Sequence, residues 1–221
     1  MRSRYVVDTN VLIAASAGNP QQHRPIEATP EDPTLRLAVW QWLKAFKESD
    51  SRLVLDGAGR IFEEYRHQLG FGDYGHQVVL HKWSTCASDV VEIAYDTDGN
   101  AVLPADLQPV VHDLADRKMV AACAEAIRVH GACWIAFAGD TDWHGWEQAL
   151  SAHRIPLEPV IESWSRQKYA EKEGLAGGLH GRQQERHHGR PNERQHHQHD
   201  HGSHVHGPHD HRHGEAHDQH D

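Results

Sequence analysis

A chain of 221 residues with three cysteines, 22 histidines and a formal charge of −10 is long enough for one domain of ordinary size with a sizeable core. Its acidity argues against gripping nucleic acid through a broad basic surface. Cys86, Cys123 and Cys133 form neither a CxxC pair nor an even disulfide framework, so a reducing, cytoplasmic setting is expected.

From the amino end, residues 4–7 read as a short strand and 11–15 as a helix. The apolar run after Arg2 and Arg4 superficially resembles a signal peptide, but Asp8 and Asn10 interrupt it. No stretch approaches a transmembrane length. Residues 17–33 hold Gly18, Pro20, Pro25, Pro30 and Pro33 and are expected to form a loop. Thr34 is the expected cap of a helix carrying Leu35, Val39, Trp42 and Phe46 on one face. A buried strand over 53–55 leads to an amphipathic helix over 58–69, where Ile61, Tyr65 and Leu69 recur at four-residue spacing. Residues 78–86 fit a helix, 90–95 an extended segment, and 96–100 a turn. The helical pattern returns over 116–130, with Gly131 as its stop. Residues 133–138 form a continuous apolar strand, 143–153 a helix, and 157–161 a last strand. Strands alternating with helices predict an α/β fold, a central parallel sheet flanked by helices.

The composition shifts near the carboxyl end. Residues 175–221 carry 14 of the 22 histidines and almost no apolar side chains. Such a segment buries too little surface to offset its ordering entropy. A folded body over 1–165 and a disordered tail over 166–221 are therefore expected. Residues 175–221 hold five arginines against seven acidic residues, which leaves 17 basic and 25 acidic residues before them.

Ligands of open parallel sheets bind outside the carboxyl ends of the strands. Asp8 follows the first strand directly, and Asp140 and Asp142 follow the strand over 133–138 after a single glycine. Asp116 opens the helix leading into that strand, and Glu64 lies one turn into the helix after the second strand. Any one of these aspartates, or Asp113, could be only a helix cap. The tripeptide Asp96-Thr97-Asp98 is an internal control, since it precedes Gly99-Asn100 and needs only a turn. Several carboxylates on one edge repel one another when empty. One or two Mg²⁺ or Mn²⁺ ions would remove that conflict and suit phosphodiester hydrolysis without a nucleophilic side chain.

The segment Tyr5-Val6-Val7-Asp8-Thr9-Asn10-Val11-Leu12-Ile13 closely resembles the opening strand and helix of PIN-domain nucleases. Glu63-Glu64-Tyr65, Asp113-Leu114-Ala115-Asp116-Arg117-Lys118 and Gly139-Asp140-Thr141-Asp142 resemble that family's later motifs in order, over roughly residues 4 to 162. The resemblance implies a PIN-like fold and metal-dependent cleavage of single-stranded RNA. It implies Asp8, Glu64, Asp116, Asp140 and Asp142 as catalytic metal-holding carboxylates, with Asn10 supporting one of them. Where the family often carries a hydroxyl before the fourth motif, this chain has Ala138. Many members are toxins, so an antitoxin-like protein partner is implied too, and a homodimer is compatible with the fold. Arg60, Arg66, Arg117 and Lys118 lie beside the motifs as candidates for holding phosphate.

In the tail, His196, His197, His199, His201, His204, His206, His209, His211 and His213 stand at spacings that suit Ni²⁺ or Zn²⁺. A rival reading is therefore a metal-buffering or metal-delivery protein on a PIN-like scaffold, although a scaffold has no need of the whole carboxylate set.

Overall fold

The computed structural model describes residues 1–185, with side-chain environments through residue 174. The histidines singled out over 196–213 lie outside the described residues.

The chain opens with strand β1 (Arg4–Val7), whose last three residues are fully buried. An apolar run flanked by neighbours on both sides is what a central parallel strand requires. Helices α1 (Thr9–Ala17) and α2 (Pro33–Glu48) follow. Asp32, not Thr34, caps α2: its carboxylate accepts the N–H groups of Thr34 and Leu35, and Pro33 fills the first helical position. Next come β2 (Arg52–Asp56), α3 (Arg60–Gln68) and α4 (Tyr74–Ser84).

Strand β3 is Ser88–Val91, earlier than the extended segment expected over 90–95. It is an edge strand in which only Val91 is buried, so its hydrophobic signal is weak. The expected turn is present. The N–H groups of Asp98 and Asn100 donate to Asp96 Oδ1, and Gly99 takes a positive φ of 87°.

Helix α5 (Arg117–His130) ends at Gly131, which adopts a left-handed conformation. Strand β4 (Trp134–Phe137), helix α6 (Asp142–Ala152), strand β5 (Leu157–Pro159) and helix α7 (Glu162–Glu185) complete the described chain. The compact unit runs from Met1 to His180, so the boundary expected at 165 falls inside α7. Ser165 is fully buried there, and Arg166 pairs with Glu147 on α6. No described helix is long and apolar enough to cross a membrane.

The five strands form one parallel sheet in the order β3-β2-β1-β4-β5. The first two crossovers step one way from β1, and the later ones step the other way. With right-handed connections, that reversal puts α1 to α4 on one face and α5 and α6 on the other. It also makes the gap between the carboxyl ends of β1 and β4 the topological switch point, where open α/β sheets bind ligands.

Candidate active site

Asp8 sits at the switch point. Its backbone N–H donates to the Ala136 carbonyl (2.9 Å), which continues the β1–β4 pairing and fixes the residue beside the end of β4. It occupies the cap position of α1, yet its side chain makes no capping hydrogen bond. The residue is 2% exposed, and its Oδ2 atom has no hydrogen-bond partner. A buried, unpartnered carboxylate oxygen is costly, and it needs an explanation that helix capping does not provide.

Asp56 makes the contrast. It too ends a parallel strand before a helix and is 3% exposed. Its carboxylate takes the N–H groups of Arg60 (3.0 Å) and Ile61 (2.8 Å) and the Tyr95 hydroxyl (2.8 Å). This aspartate is fully used in holding α3 to the sheet.

Asp140 follows β4 after Gly139. A Cβ at Gly139 would lie 2.4 Å from the Thr29 carbonyl oxygen, so glycine alone lets the proline-rich loop cross here. Arg36 on α2 anchors that loop through the carbonyls of Ala28 and Pro30. Asp140 Oδ1 accepts the Asp142 N–H (2.8 Å), a local turn that aims the chain into α6.

Asp116 stands at the start of α5, nearly buried, again with no side-chain cap. Asp113 does not cap α5 either; it accepts the Ala115 N–H (2.8 Å) in a turn. Glu64 is on α3, where the Thr9 hydroxyl donates to one carboxylate oxygen and Lys118 Nζ lies 2.5 Å from the other. Asp142, in the first turn of α6, is ion-paired with Lys172 of α7, and His112 Nε2 is 3.9 Å away.

The electrostatics tie these residues together. Burial, then the charge of Asp140, then that of Glu64 push the Asp8 carboxyl up to about 7, while N–H groups of Asn10 pull it partly back. Asp116 is pushed up to about 9 by burial and by the charges of Asp8, Asp113, Asp140 and Glu64. Asp140 is raised by burial and by the charges of Asp142 and Asp113, against the opposing pull of the Asp142 N–H and of Lys172. Four carboxylates from β1, α3, α5 and the end of β4 thus feel one another's charge, as like charges in a poorly solvated site must. Asn10, expected to support one of these carboxylates, stands two residues from Asp8 in the first turn of α1.

Two members are held by resident cations, Glu64 by Lys118 and Asp142 by Lys172. Among the described residues, no group of three or more His, Cys, Asp or Glu side chains is gathered closely enough to hold a metal ion. The orphaned Asp8 oxygen and the all-carboxylate donor set nonetheless suit a hard, oxygen-seeking cation, while the absence of thiol or imidazole from the set disfavours a soft one.

Of the four cationic candidates, Lys118 alone reaches a site carboxylate. Arg117 ties down the preceding loop through the carbonyls of Val111 and Gln108, and Arg60 bonds the Gly99 carbonyl while lying over the Tyr95 ring. Sequence reasoning missed Thr9, Asp113 and Lys172 as neighbours of the cluster. Thr9 was visible inside the first motif, but Lys172 lay in the segment expected to be tail.

No family model, no curated protein and no solved structure matches the chain.

Proposed function

We propose that this protein is a metal-dependent nuclease that hydrolyses phosphodiester bonds of single-stranded RNA. The reading is carried by Asp8: a buried carboxylate with an unpartnered oxygen, at the switch point of a parallel sheet, facing the charges of Asp140, Asp116 and Glu64. The likeness of four ordered motifs to PIN-domain nucleases points the same way and supplies the preference for RNA.

Asp8, Asp116 and Asp140 would hold Mg²⁺ or Mn²⁺, with Glu64 and Asp142 at the margins. A bound divalent ion would cancel the mutual repulsion and supply the charge needed to activate water and steady a leaving oxygen. The chain's own contribution is placement. The β1–β4 pairing fixes Asp8, and the turn at Asp140 and the start of α5 set carboxylates near enough for their charges to be felt there. Lys118 and Lys172 pair with Glu64 and Asp142 and add positive charge beside an otherwise acidic surface. A substrate phosphate would otherwise meet only repulsion there.

The test pairs a cleavage assay with a binding assay. Single-stranded RNA of mixed sequence is incubated with the full chain, with Mn²⁺ or with EDTA, and Mn²⁺ is titrated calorimetrically. Cleavage should require Mn²⁺ or Mg²⁺. Asp8→Asn, which keeps the shape but removes one charge, should cut both cleavage and the tightest Mn²⁺ binding by about a hundredfold or more. Cleavage that persists in EDTA, or is unchanged in Asp8→Asn, would sink the reading.

A further inference from the structure

Beside the carboxylates lies a cleft of about 350 Å³, lined by Trp146 and Asp142 of α6, Tyr169 and Lys172 of α7, and His112 of the preceding loop. We infer that this cleft is a nucleotide subsite, which holds one base of a single-stranded nucleic acid against Tyr169 and His112, with Trp146 packed beneath them, while Lys172 takes the adjoining phosphate. The inference rests on the nuclease reading and extends it to how the substrate strand is held.

The cleft has the size of a small-ligand site, for which volumes begin at about 300 Å³. Its aromatic wall is rigid. Trp146 is only 3% exposed and is packed edge-on against Trp143, with ring centroids 5.1 Å apart at 71°. His112 meets it at 5.4 Å and 86°, and the imidazole is itself exposed. Tyr169, half-buried, lies over Gly145. A Cβ at Gly145 would stand 3.1 Å from the Tyr169 hydroxyl, so the missing side chain makes room for the ring. Fixed aromatic surfaces around an open cleft accept bases of any sequence, because every base offers a π-face.

Charge completes the match. Lys172 is 57% exposed and is paired with Asp142, and its charge is also felt at Asp140. Asp142 belongs to the cleft and, through its N–H bond to Asp140, to the carboxylate cluster. A strand whose scissile phosphate lay at Asp8 and Asp140 would therefore pass directly into the cleft. The carboxylates of Asp142 and Glu173 on its wall can accept from exocyclic amino groups of a base.

The experiment measures binding apart from cleavage. A short fluorescent single-stranded RNA is titrated by anisotropy into full-length Asp8→Asn protein in EDTA at pH 8, where unperturbed imidazoles are uncharged. Tyr169→Ala should weaken binding about fivefold to a hundredfold, and Tyr169→Phe should restore it. Lys172→Ala should weaken binding and lower the slope of log affinity against log salt by about one. Lys168→Ala, on the same helix but paired with Glu171, should leave binding unchanged. Thermal midpoints of all variants show whether each has folded, and Tyr169→Leu, which also lacks an aromatic face, serves where Tyr169→Ala has not.

Equal affinity in Tyr169→Ala, Lys172→Ala and the parent, or no binding by the parent, would overturn the subsite. Tyr169-dependent and Lys172-dependent binding with no Mn²⁺-dependent cleavage by the wild type would leave the subsite standing and refute the nuclease reading instead.

Discussion

The tripeptide Asp-Thr-Asp occurs twice, at 96–98 and at 140–142, and in both places it makes the same local hydrogen bond. The N–H of the second aspartate donates to Oδ1 of the first, at 3.0 Å for Asp96 and 2.8 Å for Asp140. The electrostatic outcomes are opposite. Asp96 is fully exposed, and the N–H of Asn100 leads several donors that hold its carboxyl below the usual range. Asp140 stands at the end of a buried strand, where burial and neighbouring carboxylates raise it. Local sequence decided the turn in both copies. What surrounds the turn decides whether the carboxylate is satisfied or is left needing a counterion.

The sharpest way to break that comparison is to remove one charge from each copy. Asp140→Asn should lower Mn²⁺-dependent cleavage about a hundredfold or more. Asp96→Asn keeps the same acceptor for Asp98 and Asn100 and should stay within about twofold of wild type, since its loop does not touch the carboxylate cluster. Comparable losses in both would mean that the cluster is not the reacting site.

A second pair sharpens the same point three residues apart. Asp113 accepts one backbone N–H and is exposed, and asparagine can do the same, so Asp113→Asn should cost only a few-fold through its long-range charge. Asp116→Asn should bring cleavage down as far as Asp140→Asn does. The reverse order of effects, measured in the same assay, would exchange the roles of the two aspartates.

Stability gives a smaller and independent readout. Folded Asp8 and Asp116 bind their protons up to about 7 and about 9, against an ordinary value of 3.8. Between those limits these two groups hold more protons folded than unfolded, so their contribution to stability falls as pH rises, against a smaller opposite one from His144, whose burial holds its imidazole below the ordinary value. In EDTA the thermal midpoint should therefore drop by several degrees from pH 5 to pH 9. Mn²⁺ should flatten that slope, and Asp8→Asn should raise the midpoint at pH 8 while weakening Mn²⁺ binding. A pH slope in EDTA that is the same in wild type and Asp8→Asn would show that the cluster is not mutually repelling.

The smallest effect is expected at the carboxyl end. Removing residues 186–221 takes away the singled-out histidines and leaves α7 whole. Mn²⁺-dependent cleavage should stay within about twofold, while calorimetry should show loss of most Ni²⁺ or Zn²⁺ binding. A large loss of cleavage at saturating Mn²⁺ would make tail and body one machine. Cutting at 165 instead would remove Lys172 and Tyr169, and should be far more harmful.

Much of the fold could be read from the chain because its central strands are buried on both sides. The runs at β1, β2 and β4 each centre on consecutive buried apolar residues, and the helices between them repeat apolar residues at helical spacing. The aspartates that follow β1 and β4 were legible for the same reason, since a charge directly after a buried strand must stand at the sheet's edge. The edge strands β3 and β5 were blurred, because half-exposed residues carry little periodic signal. Helix α7 was hidden by its polarity: it reaches the body through single residues such as Ser165 and Lys172, with no apolar stripe to announce it.

Sequence by itself thus determined the parallel α/β architecture, the turns at Asp96 and Asp140, and which carboxylates stand at strand ends, because these follow from hydrophobic runs and from hydrogen bonds between near neighbours. Only the tertiary structure decided which carboxylates are satisfied. Asp56 finds the hydroxyl of Tyr95, Glu64 finds Lys118 and Asp142 finds Lys172, while Asp8 Oδ2 finds none. Those partners lie far along the chain, Lys172 30 residues from Asp142 and Tyr95 39 from Asp56. Electrostatic energy depends on distance in space and on access to water, and neither is written in the order of the chain.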